Sequence, residues 1–296
     1  MSKNINNLNE MEEDPVDNSK KSSRNSESDQ PQALAYTGNH EVRTDFKPRV
    51  ILDRDWYAIC HLLQRLFMKA HINCMQMADL IIMQNFLGSV IYQCESDGIE
   101  SDIDDDIYEG GIIYGVITVL NITAKKDMPC VQQLRSFIIE SAEKYASDDI
   151  IKKFVDILDD TSRPIAYLIN ERLIHVPAEF SIGLLENLQI ETDVAKKNGM
   201  KFDFAYYLTI IKLYRREARD GKPKEDFYSS AEEEFLARKA INSIEYSMPD
   251  DSDKGISGDW LEVEDAPPPY RKMLLFEASQ MSNIIMELRQ QIQENK

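Results

Sequence analysis

The chain has 296 residues, 43% of them hydrophobic, and a formal net charge of −18. That apolar content suffices for a sizeable core, and the acidity argues against a nucleic-acid-binding surface and for cationic partners. No stretch approaches the roughly 20 apolar residues of a membrane span, and the N-terminus lacks the apolar core of a signal peptide, so a soluble intracellular protein is expected.

Residues 1 to about 40 are crowded with Asn, Ser and Glu, with Tyr36 the one aromatic. Burial there cannot offset the entropy of ordering the chain, and the segment reads as a disordered polar tail ahead of a folded domain over 41–296. From Val42, the residues Val42, Thr44, Phe46, Val50 and Leu52 keep a period of two, interrupted by Pro48, which suits an edge or bulged strand. Asp53 or Asp55 then starts a helix whose Trp56, Ile59, Cys60, Leu63, Leu66 and Phe67 form one apolar stripe. A short helix follows over 75–86, then a strand over 88–95 that runs into an acidic loop.

GIIYGVITVLNIT (111–123) is too β-branched and too continuously apolar for a surface helix, and it reads as a central strand. Two amphipathic helices come next, the first from Val131 to Tyr145 and the second aligning Ile151, Phe154, Val155 and Leu158. In PIAYLINERLIHVP (164–177), Ile165 to Ile169 are apolar on both faces, as an interior strand covered by helices on both sides requires. Asn170, Glu171 and Arg172 then fall where the strand leaves the sheet. Glu171 and His175 could form an acid/base pair; the reading adopted is solvation of a strand end. Pro177 suits the first turn of the next helix, with Glu179 near its positive end.

FDFAYYLTIIKLY (202–214) is a further long strand, flanked by the basic run from Lys196 to Lys224 that includes Arg215, Arg216 and Arg219. That run reads as a charged hairpin rim, with a contact to an acidic partner or RNA as the sharper reading. Residues 231–248 could be helix or strand. Short strands around Trp260 to Val263 and Met273 to Phe276 precede a closing helix marked by Met281, Ile284, Ile285, Leu288 and Ile292. The alternation predicts an α/β fold, a single domain with a mixed sheet covered by helices.

The charge is concentrated. Residues 95–109 and 250–265 together hold fifteen acids against Lys254 alone, a net −14 of the −18. Neither is an EF-hand: counting from Asp102, the sixth position is Ile107 and the twelfth Ile113; counting from Asp250, Gly255 is well placed, but Lys254 and Leu261 occupy ligand positions. The cysteines Cys60, Cys74, Cys94 and Cys130 contain no CxxC pair, so neither a zinc site nor a disulfide framework is expected, and no metal. PPPY (267–270) fits a WW-domain ligand or a rigid turn into a strand. No Walker A, GxGxxG, GxSxG or HExxH pattern occurs, and neither QNFLGSV nor RDGKP has the glycine spacing of an acetyltransferase cofactor loop. No cofactor and no catalytic residue is assigned.

Four segments, MADLIIMQNFLGSVIYQ, YGVITVLNITAKKDMPCVQQL, SRPIAYLINERLIHVPAE and SSAEEEFLARKAINSIEYSM, together resemble the BCCIP family, eukaryotic proteins named for interaction with a breast-cancer suppressor and a cyclin-kinase inhibitor. The resemblance runs from about Val42 to the C-terminus in consistent order. It implies a fold similar to the acetyltransferase superfamily without its cofactor site. It also implies a nuclear and nucleolar protein, also cytoplasmic, that acts through partners: as a chaperone for a basic ribosomal protein of the large subunit, and in cell-cycle and genome-maintenance complexes. A non-enzymatic adaptor is therefore expected, with Asp102, Asp104, Asp105, Asp106, Asp250, Asp251 and Asp253 as candidate partner-binding residues. The competing expectations are a divergent acyltransferase that holds acetyl-CoA through an unrecognised loop, and an adaptor whose main role is cell-cycle control and DNA repair.

Overall fold

The computed structural model describes residues 45–68, 70–94, 112–173, 176–218, 223–248 and 267–294. The strands are β1 (Asp45–Val50), β2 (Ser89–Cys94), β3 (Ile113–Asn121), β4 (Ile165–Arg172), β5 (Tyr206–Arg216), β6 (Glu225–Tyr228), β7 (Asn242–Ser247) and β8 (Pro269–Glu277). The helices are α1 (Trp56–Phe67), α2 (Cys74–Ile82), α3 (Pro129–Tyr145), α4 (Asp148–Asp159), α5 (Phe180–Lys197), α6 (Ala231–Lys239) and α7 (Met281–Glu294). The strands build one eight-stranded sheet in the order β1-β2-β3-β4-β5-β8-β7, with β6 paired to β5. Only the β4–β5 pairing is parallel among these neighbours. The α/β class and the mixed sheet are as the alternation of elements implied, although most of the pairing is antiparallel.

Two apolar layers sandwich the sheet. Ile165, Tyr167 and Ile169 of β4 face the side covered by α1 to α4, and Ala166 and Leu168 face α5, α6 and α7. Strand β3 is likewise buried on both faces from Val116 to Asn121. This is why both strands lack the polar alternation of a half-exposed strand. Gly88, before β2, adopts φ +104, and a Cβ there would lie 2.3 Å from the carbonyl oxygen of Ile117. Only glycine lets the chain turn this close to β3.

Several boundaries differ from the sequence reading. Helix α5 begins at Phe180, not at Pro177: Phe180 N–H donates to the Pro177 carbonyl and Ser181 N–H to that of Ala178, forming a turn ahead of the helix. Residues 231–248 contain both kinds of element, α6 and then β7. Strand β8 is longer than Met273 to Phe276 because Pro269, Tyr270, Arg271 and Lys272 also join the ladder. Trp260 to Val263 lie outside the described residues.

Candidate functional site: an ionic cluster where β4 and β5 part

The parallel ladder between β4 and β5 is short. It runs from Ile165 opposite Tyr206 to Tyr167 opposite Leu208 and stops. From Leu213 to Arg216 the flank of β5 is taken by β6 instead. The end of β4 and the middle of β5 therefore border an opening in the sheet, where backbone donors lose their ladder partners and must find others.

Helix α6 supplies them. Its first turn follows Ser230, whose backbone N–H donates to Glu233 Oε2 at 3.1 Å, one half of a capping arrangement that fixes where Glu232 and Glu233 point. Glu233 Oε1 accepts from the backbone N–H of Lys212 at 3.3 Å, filling a place in the interrupted ladder. Glu232, with 0% of its surface exposed, takes three donors. Asn170 Nδ2 donates at 2.9 Å, Arg172 Nη2 at 2.8 Å and Ser181 Oγ at 2.7 Å. Arg172 Nη1 also donates to Ser181 Oγ at 2.6 Å. Glu171, one residue along β4 and so on the opposite face, accepts from Lys212 Nζ at 2.5 Å.

The charges balance. Arg172 and Lys212 face Glu232 and Glu171, which leaves Glu233 without a cation of its own. Burial, opposed by Lys212 and reinforced by Glu232 and Glu171, pushes the Glu233 carboxyl up to about 8. It is therefore mostly protonated at pH 7, and the cluster is neutral. Each interior charge meets an opposite one within hydrogen-bonding distance, the condition under which burying it is tolerable.

The expectation that Asn170, Glu171 and Arg172 merely solvate a strand end is corrected here. Glu171 is 3% exposed and paired, and Arg172 lies in the interior. The strand does not run out into water because the opening lies inside the sheet, with α6 beside it. His175 lies outside the described residues, as do Asp102, Asp104, Asp105, Asp106, Asp250, Asp251 and Asp253. Glu232 and Glu233 were missed. The local signal that could have found them is Ser230 followed three residues later by Glu233.

A second ion cluster closes the β5–β6 rim. Arg215 donates from Nε to Asp226 Oδ1 at 2.6 Å and from Nη2 to Glu245 Oε2 at 2.9 Å, and its guanidinium covers the Tyr270 ring at 4.5 Å. Hydrogen bonds from Arg215 hold the Asp226 and Glu245 carboxyls below their usual range. Arg215 and Arg216 thus lie on a charged hairpin rim, Arg216 paired to Glu225, whereas Lys196 and Lys197 end α5 and Arg219 lies outside the described residues. Within PPPY, Pro269 and Tyr270 already belong to β8. Among the described residues no cluster suited to a metal ion occurs, and no helix is long and apolar enough to cross a membrane. Cys60, Cys74 and Cys130 are free and buried, and burial raises the pKa of each thiol.

Known proteins share this sequence and architecture. A BCCIP homolog from Drosophila melanogaster is 48% identical over 260 residues, 88% of each chain. The BRCA2 and CDKN1A-interacting protein of Bos taurus is 33% identical over 264 residues, covering 86% of this chain and 85% of the relative. The crystal structure of BCP1 from Saccharomyces cerevisiae has the same fold, with a TM-score of 0.55 at 19% identity, covering 88% of this chain and 93% of that one. The model of the BCCIP family matches residues 41–252, and with these identities it establishes that the chain belongs to the BCCIP family.

Proposed function

We propose that the chain is a non-enzymatic adaptor and chaperone for basic protein partners, a basic ribosomal protein of the large subunit among them, working in the nucleus. The observation that carries this reading is the concentration of charge: −14 of the net −18 sits in two short segments. Ribosomal proteins are basic because they neutralise RNA phosphates, and an acidic protein can occupy that surface before assembly. The mammalian relatives are named as interacting with BRCA2 and CDKN1A, which supports a chain that acts through protein partners.

The opening between β4 and β5 bears on the acyltransferase alternative. Unpaired backbone between parting strands is a natural seat for an extended ligand, but here Glu233 occupies the Lys212 donor and the cluster is satisfied from within. That leaves no free backbone donor at Lys212 for an acyl-donor cofactor, which supports the adaptor reading over the acyltransferase. Acetyl-CoA at about 100 times its dissociation constant would add roughly 2.7 kcal/mol to an enzyme that binds it; no change in melting is expected here.

The adaptor reading is tested by association rates with a basic ribosomal protein, measured by stopped flow at several salt concentrations. The Debye length falls from about 10 Å at 0.1 M to about 3 Å at 1 M, so association through the acids slows steeply with salt. Changing Asp104, Asp105 and Asp106 to Asn, or Asp250, Asp251 and Asp253 to Asn, flattens that dependence if the segment takes part. Identical salt slopes in wild type and both variants would refute the reading.

A further inference from the structure

Helix α5 carries two apolar faces, and the described residues cover one of them. Leu184, Leu185, Leu188 and Ala195 are buried against the sheet. On one flank, Glu186 and Gln189 bond to Arg289 and Ser282 of α7. The other flank reads Phe180, Gly183, Asn187, Ile190 and Val194, a spacing of three and four residues that draws one seam along a helix. Ile190 and Val194 are 61% and 48% exposed. The seam runs about 21 Å at 1.5 Å per residue. Beside its N-terminal half, a cleft of about 570 Å³ separates Phe180, Gly183 and Asn187 from Pro48 and Val50 of the edge strand β1. Gly183 is the odd residue of the seam. Glycine is a poor helix former, and nothing lies within 4 Å of the place its Cβ would take, so no packing among the described residues calls for it. A missing side chain on an open seam lets another helix approach closely.

The C-terminal end of the seam is basic. Gly199, at φ +74, donates its N–H to the Lys196 carbonyl and Met200 N–H donates to that of Ala195, a Schellman turn that folds Met200 back towards the last turn of α5. Asn121 Nδ2 donates to the Lys201 carbonyl at 2.6 Å, and the Asn121 carbonyl accepts from Lys125 N–H, so the turn after β3 joins the same corner. The loop before β2 is held there as well, by Gly88 N–H donating to Glu191 Oε2 at 2.6 Å. Its Phe86, 46% exposed, meets Phe202 edge-on at 6.0 Å and extends the apolar surface. These segments carry Lys125, Lys126, Lys197 and Lys201, none of which is in an ion pair among the described residues. Lys196 is paired with Asp203, which leaves Asp127 and Asp193 as the acids of the corner. Four cations against two anions make it positive in a chain of net −18.

We propose that this seam binds an amphipathic helix of a partner protein, its apolar ridge lying over Gly183, Ile190 and Val194 and its acidic end beside Lys197 and Lys201. The spacing selects a helix, whose own ridges repeat at three and four residues, over an extended chain, which repeats every two. The unpaired lysines select carboxylates at that end. A bulky apolar side chain of the partner fills the cleft against Pro48 and Val50. The surface is separate from the acidic segments and takes a partner of the opposite charge.

The test uses the full chain and two fluorescent helical peptides of about four turns, with Leu at the seam positions and, on the flanks, Glu in one and Gln in the other. The net charge of −18 opposes the Glu peptide elsewhere on the chain, so a preference for it reports this corner. Wild type should bind the Glu peptide about fivefold or more tightly than the Gln peptide at about 0.1 M salt, the worth of a few exposed ion pairs, and the ratio should approach one at about 1 M. Lys197→Gln combined with Lys201→Gln should lower that ratio at least about twofold with folding intact. Gly183→Gln, whose side chain stands in the seam, should weaken both peptides about tenfold while melting at or above the wild-type temperature, since it replaces a poor helix former. Binding of neither peptide, or equal binding of both, overturns the proposal. So does a preference for Glu that is unchanged without the two lysines, and so does undiminished binding by Gly183→Gln. A dimer in sedimentation that Gly183→Gln dissolves would give the seam to a second copy of the chain and overturn it too.

Discussion

Glu233 should make this protein lose stability as the pH rises from mildly acidic to mildly alkaline. Its carboxyl titrates at about 8 in the folded chain against 4.5 when unperturbed. Below pH 4.5 it is protonated in both the folded and the unfolded states and has no effect. Between 4.5 and about 8 the unfolded chain releases the proton while the folded chain keeps it, so rising pH favours unfolding. At about 1.36 kcal/mol per pH unit the full loss comes to about 5 kcal/mol, of which about 2 to 3 kcal/mol falls between pH 6 and pH 8. Glu233→Gln removes the titration. It also replaces one of the two acceptors that meet Lys212 N–H and Ser230 N–H, an offset of about 1 kcal/mol that does not vary with pH. Urea unfolding of both proteins at pH 6, 7, 8 and 9 isolates this group, since titrations outside the cluster cancel in the difference. The advantage of the Gln variant should grow with pH and level off above 8. A difference that stays constant across the range would show that Glu233 is ionised in the fold and that the neutrality of the cluster has been misread.

Three further outcomes follow from the packing. Arg172→Met leaves Glu232 buried without its cation and should cost about 3 to 5 kcal/mol in urea unfolding, most of it recovered when Glu232→Leu is added; a double variant no more stable than the single one would contradict the pairing. Gly88→Ala forces a Cβ to 2.3 Å from the Ile117 carbonyl oxygen at positive φ, which should lower the melting temperature well beyond about 2 °C; a smaller change would refute the close approach. Amide protons of β3 and β4 should exchange only near global unfolding, and fast exchange there would remove them from the interior of the sheet.

The elements that were legible in the sequence are those whose environment is uniform along their length. Strands β3 and β4 are apolar on both faces because both faces are covered, and α1 keeps one stripe because one face is covered. The start of α5 was misplaced because Pro177 and Glu179 are both good helix-start residues, and only the turn through Ala178 decides between them. Pro269 to Lys272 concealed the length of β8, because their polarity suits a loop and their strand conformation comes from partners in β5 and β7. Of the ionic cluster, only the capping pair Ser230 and Glu233 left a local signal, and the pairing itself left none. Arg172 and Glu232 lie 60 residues apart in sequence, and each resembles an ordinary surface charge until the ends of β4, β5 and α6 are brought together.

Once assembled, the interior charges divide into two kinds, those that complete one another and one whose donors are not all met. Arg172, Lys212, Glu171, Glu232 and the protonated Glu233 complete one another, as Arg215 does with Asp226 and Glu245. A ligand entering either group would have to break charge-assisted hydrogen bonds before forming its own, so neither offers a net gain. Arg271 stands in the opposite situation. It has been stripped of water by the fold and holds only a sulfur and a carbonyl, with its Nε unmet, which is the costlier way to bury a guanidinium. The self-satisfied clusters hold the sheet together where β4 and β5 part, whereas the guanidinium with an unmet donor lies on β8, the strand next to β5.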